Sequence, residues 1–417
     1  MNPVTLLTFL LCLPFGEGTT SWSRFRGPNG SGQGTGMTWP EQWNAKAIQW
    51  KVELPGTGHG SPIVHDRRIY LQAAEPSGQQ RLVLCLSSED GKTLWQQRVS
   101  GKRAAAMHRK NSLASGTGAT DGKLVYFCHW DGSGVQLAAY QCLDGKPAWS
   151  VPLGKHESQH GAGYSPIVVQ GKVVVAYDGD NHAEVFCLDA ATGRKVWSQP
   201  RQAFRASYCT PLVRTTAQGE ELIISSTAGV TAYDIATGQV HWNWAWPFAT
   251  KPLRSVSSPV LVSNDVLLAS AGDGGGDRDT IALNMPSGDT SETRQPRLRW
   301  QLRRDVPYVT CLLERDNHVF YVADKGVAGC LDLKTGKARW SQRLAGNFTA
   351  SPLLIDNRVV AVNETGELFV IEANADRYQE AGRLKLDEET LATPALADGH
   401  LFVRSAKHLF CLGAGKP

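Results

Sequence analysis

Short apolar runs bounded by polar turns recur along this chain, and they come in sets of four. A set opens with a Ser-Pro or Thr-Pro dipeptide and two aliphatic residues: SPIV at Ser61 and Ser165, TPLV at Thr210, SPVL at Ser258, SPLL at Ser351 and TPAL at Thr393. Proline removes a ladder donor, which confines it to the start or edge of a strand. A polar turn leads into a β-branched run, such as GKVVVAY (Gly171 to Tyr177) or NRVVAVN (Asn357 to Asn363), and then into a third run, such as AEVFCLD (Ala183 to Asp189). A turn phrase joins the third run to a fourth that carries tryptophan: FCLDAATGRKVW (Phe186 to Trp197), AYDIATGQVHW (Ala232 to Trp242) and CLDLKTGKARW (Cys330 to Trp340). Aspartate in this phrase can accept backbone N–H groups and glycine can take positive φ, so the phrase is a tight strand connection. The flat tryptophan suits the gap between neighbouring sheets.

The closing tryptophans are Trp95, Trp149, Trp197, Trp242, Trp300 and Trp340, spaced 40 to 58 residues apart, and Leu384 is expected to fill the same slot once more. That period is the length of a four-stranded propeller blade. The last set ends after its third run, HLFCLGAGKP, and IQWKVEL (Ile48 to Leu54) near the other terminus supplies the missing fourth, with Trp50 at the tryptophan position. The expected fold is all-β: one eight-bladed propeller of four-stranded antiparallel blades over residues 47–417, its ring closed by an N-terminal strand. Closure removes sheet edges that would otherwise pair with other chains. A solenoid would not need a repeat split between the termini.

The apolar run VTLLTFLLCLPF (Val4 to Phe15) is of signal-peptide length and too short to span a bilayer. Residues 1–18 are therefore expected to be an export signal, and 19–46 a Gly-rich leader, with no transmembrane segment in the mature chain. Leu11 stands before Cys12, where a lipid-anchor signal takes a small residue, so no lipid anchor is expected. A formal charge of +4 over 417 residues gives no basic face for nucleic acid. Of nine cysteines, Cys85, Cys142, Cys187, Cys330 and Cys411 each precede a leucine in the same apolar context, which reads as a recurrent buried thiol. No C-x-x-C occurs, so zinc or thioredoxin-like chemistry has no support.

The phrase CLDAATGRKVW, repeated with degeneration from about Trp50 to Leu412, resembles the tryptophan-docked repeat of the pyrroloquinoline quinone (PQQ)-like propeller family. The stretch WSRFRGPNGSGQG (Trp22 to Gly34) resembles the leader of exported planctomycete-type members. The family contains quinoprotein dehydrogenases and also non-enzymatic propellers, among them a periplasm-facing lipoprotein that assists outer-membrane protein assembly. The resemblance thus implies an exported, periplasmic or envelope-bound binding scaffold with protein partners. The alternative it implies is a PQQ-dependent oxidoreductase using PQQ with calcium. The dehydrogenases carry a disulfide between adjacent cysteines, and no two cysteines are adjacent here. The long insertions that build their pocket are also missing, so no cofactor is expected.

No nucleophile elbow, Walker loop or H-E-x-x-H is present. AGDGGGDRD (Ala271 to Asp279) has the oxygen ligands a calcium loop needs, but its spacing fits a hairpin better. YDGDNHAE (Tyr177 to Glu184) reads as a two-strand turn. The basic loop RVSGKRAAAMHRKNS (Arg98 to Ser112) could meet an acidic partner. WNWAWPF (Trp242 to Phe248) puts Trp244 and Trp246 on one strand face, where exposure, with Trp130, would point to an envelope polysaccharide and burial to packing. In a propeller the first strand of each set lines the channel, so residues just before the Ser/Thr-Pro starts gather at one mouth. Those residues are His59, His108, Asn111, His160, Tyr164, Arg205, Tyr208, Arg254, Tyr308 and Asn347. Polar loop groups converging on a rigid scaffold make a candidate site for a polar or anionic ligand.

Overall fold

The computed structural model describes residues 20–101, 107–180, 182–217, 219–248, 251–263, 265–286 and 295–414, so the expected export signal lies outside the described residues. Eight antiparallel four-stranded blades form the propeller. In blade 1 the strands are Ile63–His65, Arg68–Ala74, Gln80–Ser87 and Thr93–Ser100, from channel to rim. Blade 8 joins Ala395–Ala397, His400–Arg404 and His408–Leu412 to the N-terminal strand Ile48–Glu53, which closes the ring as the split repeat predicts.

In four of the six Ser/Thr-Pro starts, at Ser165, Ser258, Ser351 and Thr393, the Ser or Thr has a role beyond the proline's, and Thr117 and Cys311 take the same role where no proline follows. The Ser61 N–H donates to Thr117 Oγ1 (3.0 Å) and the Thr117 N–H to Ser165 Oγ (3.0 Å). Thr210 N–H donates to Ser258 Oγ (2.9 Å), Ser258 N–H to Cys311 Sγ (3.3 Å), Cys311 N–H to Ser351 Oγ (3.1 Å) and Ser351 N–H to Thr393 Oγ1 (2.9 Å). Each of these small side chains satisfies a backbone donor of the blade before it. The result is a belt of side chains that stitches the inner strands of blades 1 to 3 and of blades 4 to 8 along the channel.

A second set of joints lies farther out. Trp95, Trp149, Trp197, Trp300 and Trp340 each donate Nε1–H to a carbonyl in the next blade, at Cys142, Ala190, Ile235, Leu333 and Asn374, over 2.8–3.0 Å. The glycine of the turn phrase lies flat on the preceding blade's ring. A Cβ at Gly145, Gly193, Gly238 or Gly336 would approach that ring within 2.5–2.9 Å, and φ at each is between 70° and 77°. Glycine is required there for both backbone angle and space.

Two repeat assignments shift by register. Cys85, Cys187, Cys330 and Cys411 face Trp95, Trp197, Trp340 and Trp50 across the ladder, but the residue facing Trp149 is Ala139. Cys142 lies three residues on, in the turn, and remains buried. In blade 7 the tryptophan slot, opposite Val370, is held by Gly382; Leu384 faces Leu368. The leader fills the vacancy: a Cβ on Gly382 would lie 2.0 Å from the ring of Trp43.

The leader crosses the channel. Trp22 pairs with Val64 of blade 1, and the Ser23 carbonyl accepts Thr120 N–H of blade 2. Arg24 donates to the Pro211 carbonyl, while Asn29 bonds both backbone groups of Val213 in blade 4. Arg26 donates to the Leu312 carbonyl of blade 6 (2.9 Å), and Gln33–Gly34 adds a parallel fifth strand to Leu353–Ile355 of blade 7. Thr38 N–H bonds the Gly399 carbonyl of blade 8. Every contact falls at or beyond the Ser/Thr-Pro starts, so the leader closes the end opposite the candidate mouth.

Candidate functional site

The other end is a cup of about 530 Å³. Eight of the ten candidate residues line it: His59, His108, Asn111, His160, Tyr208, Arg254, Tyr308 and Asn347. They arrive on loops from different blades because every inner strand starts at this face. The His108 and His160 rings stack with centroids 5.1 Å apart, and Asn111 Nδ2 donates to the His160 carbonyl at 2.6 Å. The Tyr208 hydroxyl sits between Ser158 Oγ (2.8 Å) and the Gly161 carbonyl (3.0 Å). Arg254, itself buried, reaches the Ala206 carbonyl (3.3 Å) and stands 3.8 Å from Asp180.

Tyr164 and Arg205 do not belong to the cup. Tyr164 is buried behind the wall, where its hydroxyl meets His156 Nδ1 (3.0 Å) and the Asp178 carbonyl (2.9 Å), with Tyr177 4.7 Å away ring to ring. Its large ring packs in the core between blades 2 and 3. Arg205 lies over the Pro252 carbonyl outside the lining, yet its charge still acts on His160.

The electrostatics are cationic. Burial, then the charges of Arg254, His108 and Arg205, holds His160 down at about 4. Burial and then Arg404 bring His59 to about 4. Both imidazoles are therefore neutral near pH 7, and burial lifts Tyr208 to about 12. The lining also holds Phe25, Arg109, Lys110, Asp273, Arg278, Asp324 and Lys325, which the list of residues before the Ser/Thr-Pro starts does not contain. Arg109 and Lys110 end the basic loop, whose residues 102–106 lie outside the described residues. Lys110 meets Glu364 at 2.5 Å. Asp273 and Arg278 flank the AGDGGGDRD turn, which is the hairpin between Val266–Gly272 and Arg278–Asn284. Phe25 belongs to the leader, and no repeat pattern could have placed it in the channel.

A divalent ion does not fit the carboxylates present. Asp273 is engaged by Lys251 at 2.5 Å. Asp324 accepts the N–H groups of Tyr308 and Val309 (3.0 and 2.6 Å) and pairs with Arg278 at 3.4 Å. Among the described residues no three His, Cys, Asp or Glu side chains converge as metal ligands. Trp130 and Trp246 are buried, and Trp244 packs partly buried against Trp246, so these rings offer no open aromatic platform.

The family model described as outer membrane protein assembly factor BamB matches residues 42–155, 79–306 and 305–379. A curated relative of that name from Salmonella typhimurium is 24% identical over 352 residues, covering 82% of this chain and 81% of the relative. The structure of BamB from Moraxella catarrhalis superposes with a TM-score of 0.64 at 16% identity, over 87% of this chain and 98% of that one. The quinohemoprotein alcohol dehydrogenase from Comamonas testosteroni gives 0.66 at 13% identity, over 95% and 81%. Likeness at that identity carries the fold alone, whereas the family model spans most of the blades: this chain belongs to the BamB family of PQQ-like propellers.

Proposed function

We propose that the chain is a non-catalytic binding propeller of the bacterial envelope, exported to the periplasmic side and acting in outer-membrane protein assembly. The observation that carries this reading is the family match across 42–379, with curated relatives named as assembly factors over four-fifths of their own length. The channel mouth supports it: a rigid ring presents loop-borne polar groups on one face, an arrangement suited to holding a partner segment or a polar ligand. Among the described residues no helix is long and apolar enough to cross a membrane.

A photoreactive residue at Asn347, on the rim, tests the proposal in the native envelope. The expected adducts are proteins of outer-membrane assembly, and loss of the chain should lower the content of outer-membrane β-barrels. Adducts confined to other proteins, with unchanged barrel content, would overturn it. The quinone-dependent alternative draws on the fold shared with alcohol dehydrogenases. Titration of the purified chain with PQQ and Ca²⁺ decides it: saturable, Ca²⁺-dependent binding would restore the oxidoreductase, and flat calorimetry is expected. The engaged Asp273 and Asp324 support that expectation.

A further inference from the structure

The end of the channel closed by the leader is also the end from which Phe25 lines the cup. Its neighbours Arg24 and Arg26 are anchored to carbonyls of blades 4 and 6, so the ring of Phe25 is held between two fixed points. Around it the charge is one-sided. Lining cations are Arg109, Lys110, Arg254, Arg278 and Lys325 and lining anions are Asp273 and Asp324, five against two, a balance of +3. Of the groups paired to the lining, Lys251 and Glu364 add one charge of either sign, and Asp180 beside Arg254 brings the balance to +2.

Three further guanidiniums lie behind the lining: Arg24 and Arg26 on either side of Phe25, and Arg404 at the Gly60 carbonyl beside His59. Arg24, Arg26 and Arg404 are buried and bond to backbone carbonyls, Arg26 also to the Cys311 side chain; among the described residues none has a carboxylate partner, and Nε of each lacks a hydrogen bond. Burial lowers Arg24 and Arg404 to about 9, which leaves them charged at neutral pH. A buried cation without a carboxylate raises the free energy of the empty pocket, and an anion entering a low-dielectric concavity relieves it. Phe25, Val256 and Leu391 supply apolar surface in the same space.

We propose that the cup is a pocket for a small organic anion, and that Phe25 of the leader is its floor and a ligand-contacting residue. The biological use of this pocket rests on the reading of the chain as a binding propeller. The pocket's selectivity does not, and it is measured on the purified full chain without any envelope partner.

The experiment places a thiol on the floor with Phe25→Cys. The eight native cysteines described are buried and free, so they give little background. The thiol is treated with two methanethiosulfonates of similar size, the anionic ethylsulfonate and the cationic ethyltrimethylammonium, and modification is located by peptide mass. Leu143→Cys, 74% exposed on the outer surface, normalises the intrinsic reactivities. A cationic surrounding raises thiolate content for both reagents, so their normalised ratio reports the field on the reagent alone. The anionic reagent should react on the order of 10-fold faster at low ionic strength, within the range of electrostatic steering. The advantage should shrink as salt shortens the screening length to ~8 Å near 0.15 M, and Arg254→Gln with Lys325→Gln should remove most of it. If Phe25→Cys does not fold, Leu391→Cys on the wall reports the same ratio. A ratio of one or below overturns the anion assignment. A thiol at position 25 inert to both reagents in the folded chain overturns the floor assignment.

Discussion

Ser351 shows how one small side chain holds two blades. Its hydroxyl accepts the N–H of Cys311, and its own N–H donates to Thr393. Alanine there would strand the buried Cys311 donor, at about 1–3 kcal/mol. Cysteine should cost less, because Cys311 already does the same work at blade 6 with its sulfur. Denaturant midpoints for Ser351→Ala and Ser351→Cys check the order, and equal losses would mean that the hydroxyl bond is not what joins the strands. The belt was half legible in the sequence. Proline marked the strand starts correctly, but nothing in the sequence assigns a partner to the residue before it. Only the ring shows that this residue faces the neighbouring blade's backbone. Tyr164 was misplaced for a related reason: position in the loop says which end of the channel a residue reaches, and side-chain direction decides whether it faces water or the neighbouring blade.

At the scale of the element, the turn phrase and its tryptophan identified the blades, because ring, glycine and carbonyl must meet in one geometry. Where the tryptophan is missing, the phrase gave the wrong residue. Gly382 and Leu384 point to the same face of one strand, so alternation cannot separate them, and only the bulge between Val370 and Ile371 fixes the register. The leader then supplies Trp43 as a substitute. Trp43→Ala should destabilise the protein by roughly 2 kcal/mol, below the 3–5 expected for a fully buried aromatic. Gly382→Ala should destabilise it too, because its methyl would overlap the ring. The two changes should be strongly non-additive: once Trp43 is alanine, the methyl at 382 has nothing to strike. A double-mutant cycle in denaturant reads this coupling, and additive losses would separate the leader from blade 7 energetically.

For the whole molecule, the seam is the question, since seven blades are continuous in sequence and the eighth is joined only by pairing. The strand Ile48–Glu53 lies against His408–Leu412, with Glu53 opposite His408. Gly413 and Ala414 bond the carbonyls of Ala47 and Thr38 over 2.9 and 2.8 Å. Nothing covalent closes the ring, so unfolding is expected to begin where these strands part. A disulfide across Glu53→Cys and His408→Cys tests this, because paired positions on antiparallel strands lie within disulfide reach. The crosslink encloses 355 positions, from 53 to 408, and chain-entropy scaling gives roughly 6 kcal/mol of stabilisation. The native thiols should not compete: burial pushes Cys85, Cys187, Cys330 and Cys411 up to about 12. Comparing oxidised with reduced protein cancels the loss of His408's bonds to Glu388, which both forms share. The oxidised form should unfold much more slowly in denaturant. Equal unfolding rates would place the first opening at another blade boundary, and the blade 7–8 joint that borrows Trp43 from the leader would be the next to clasp.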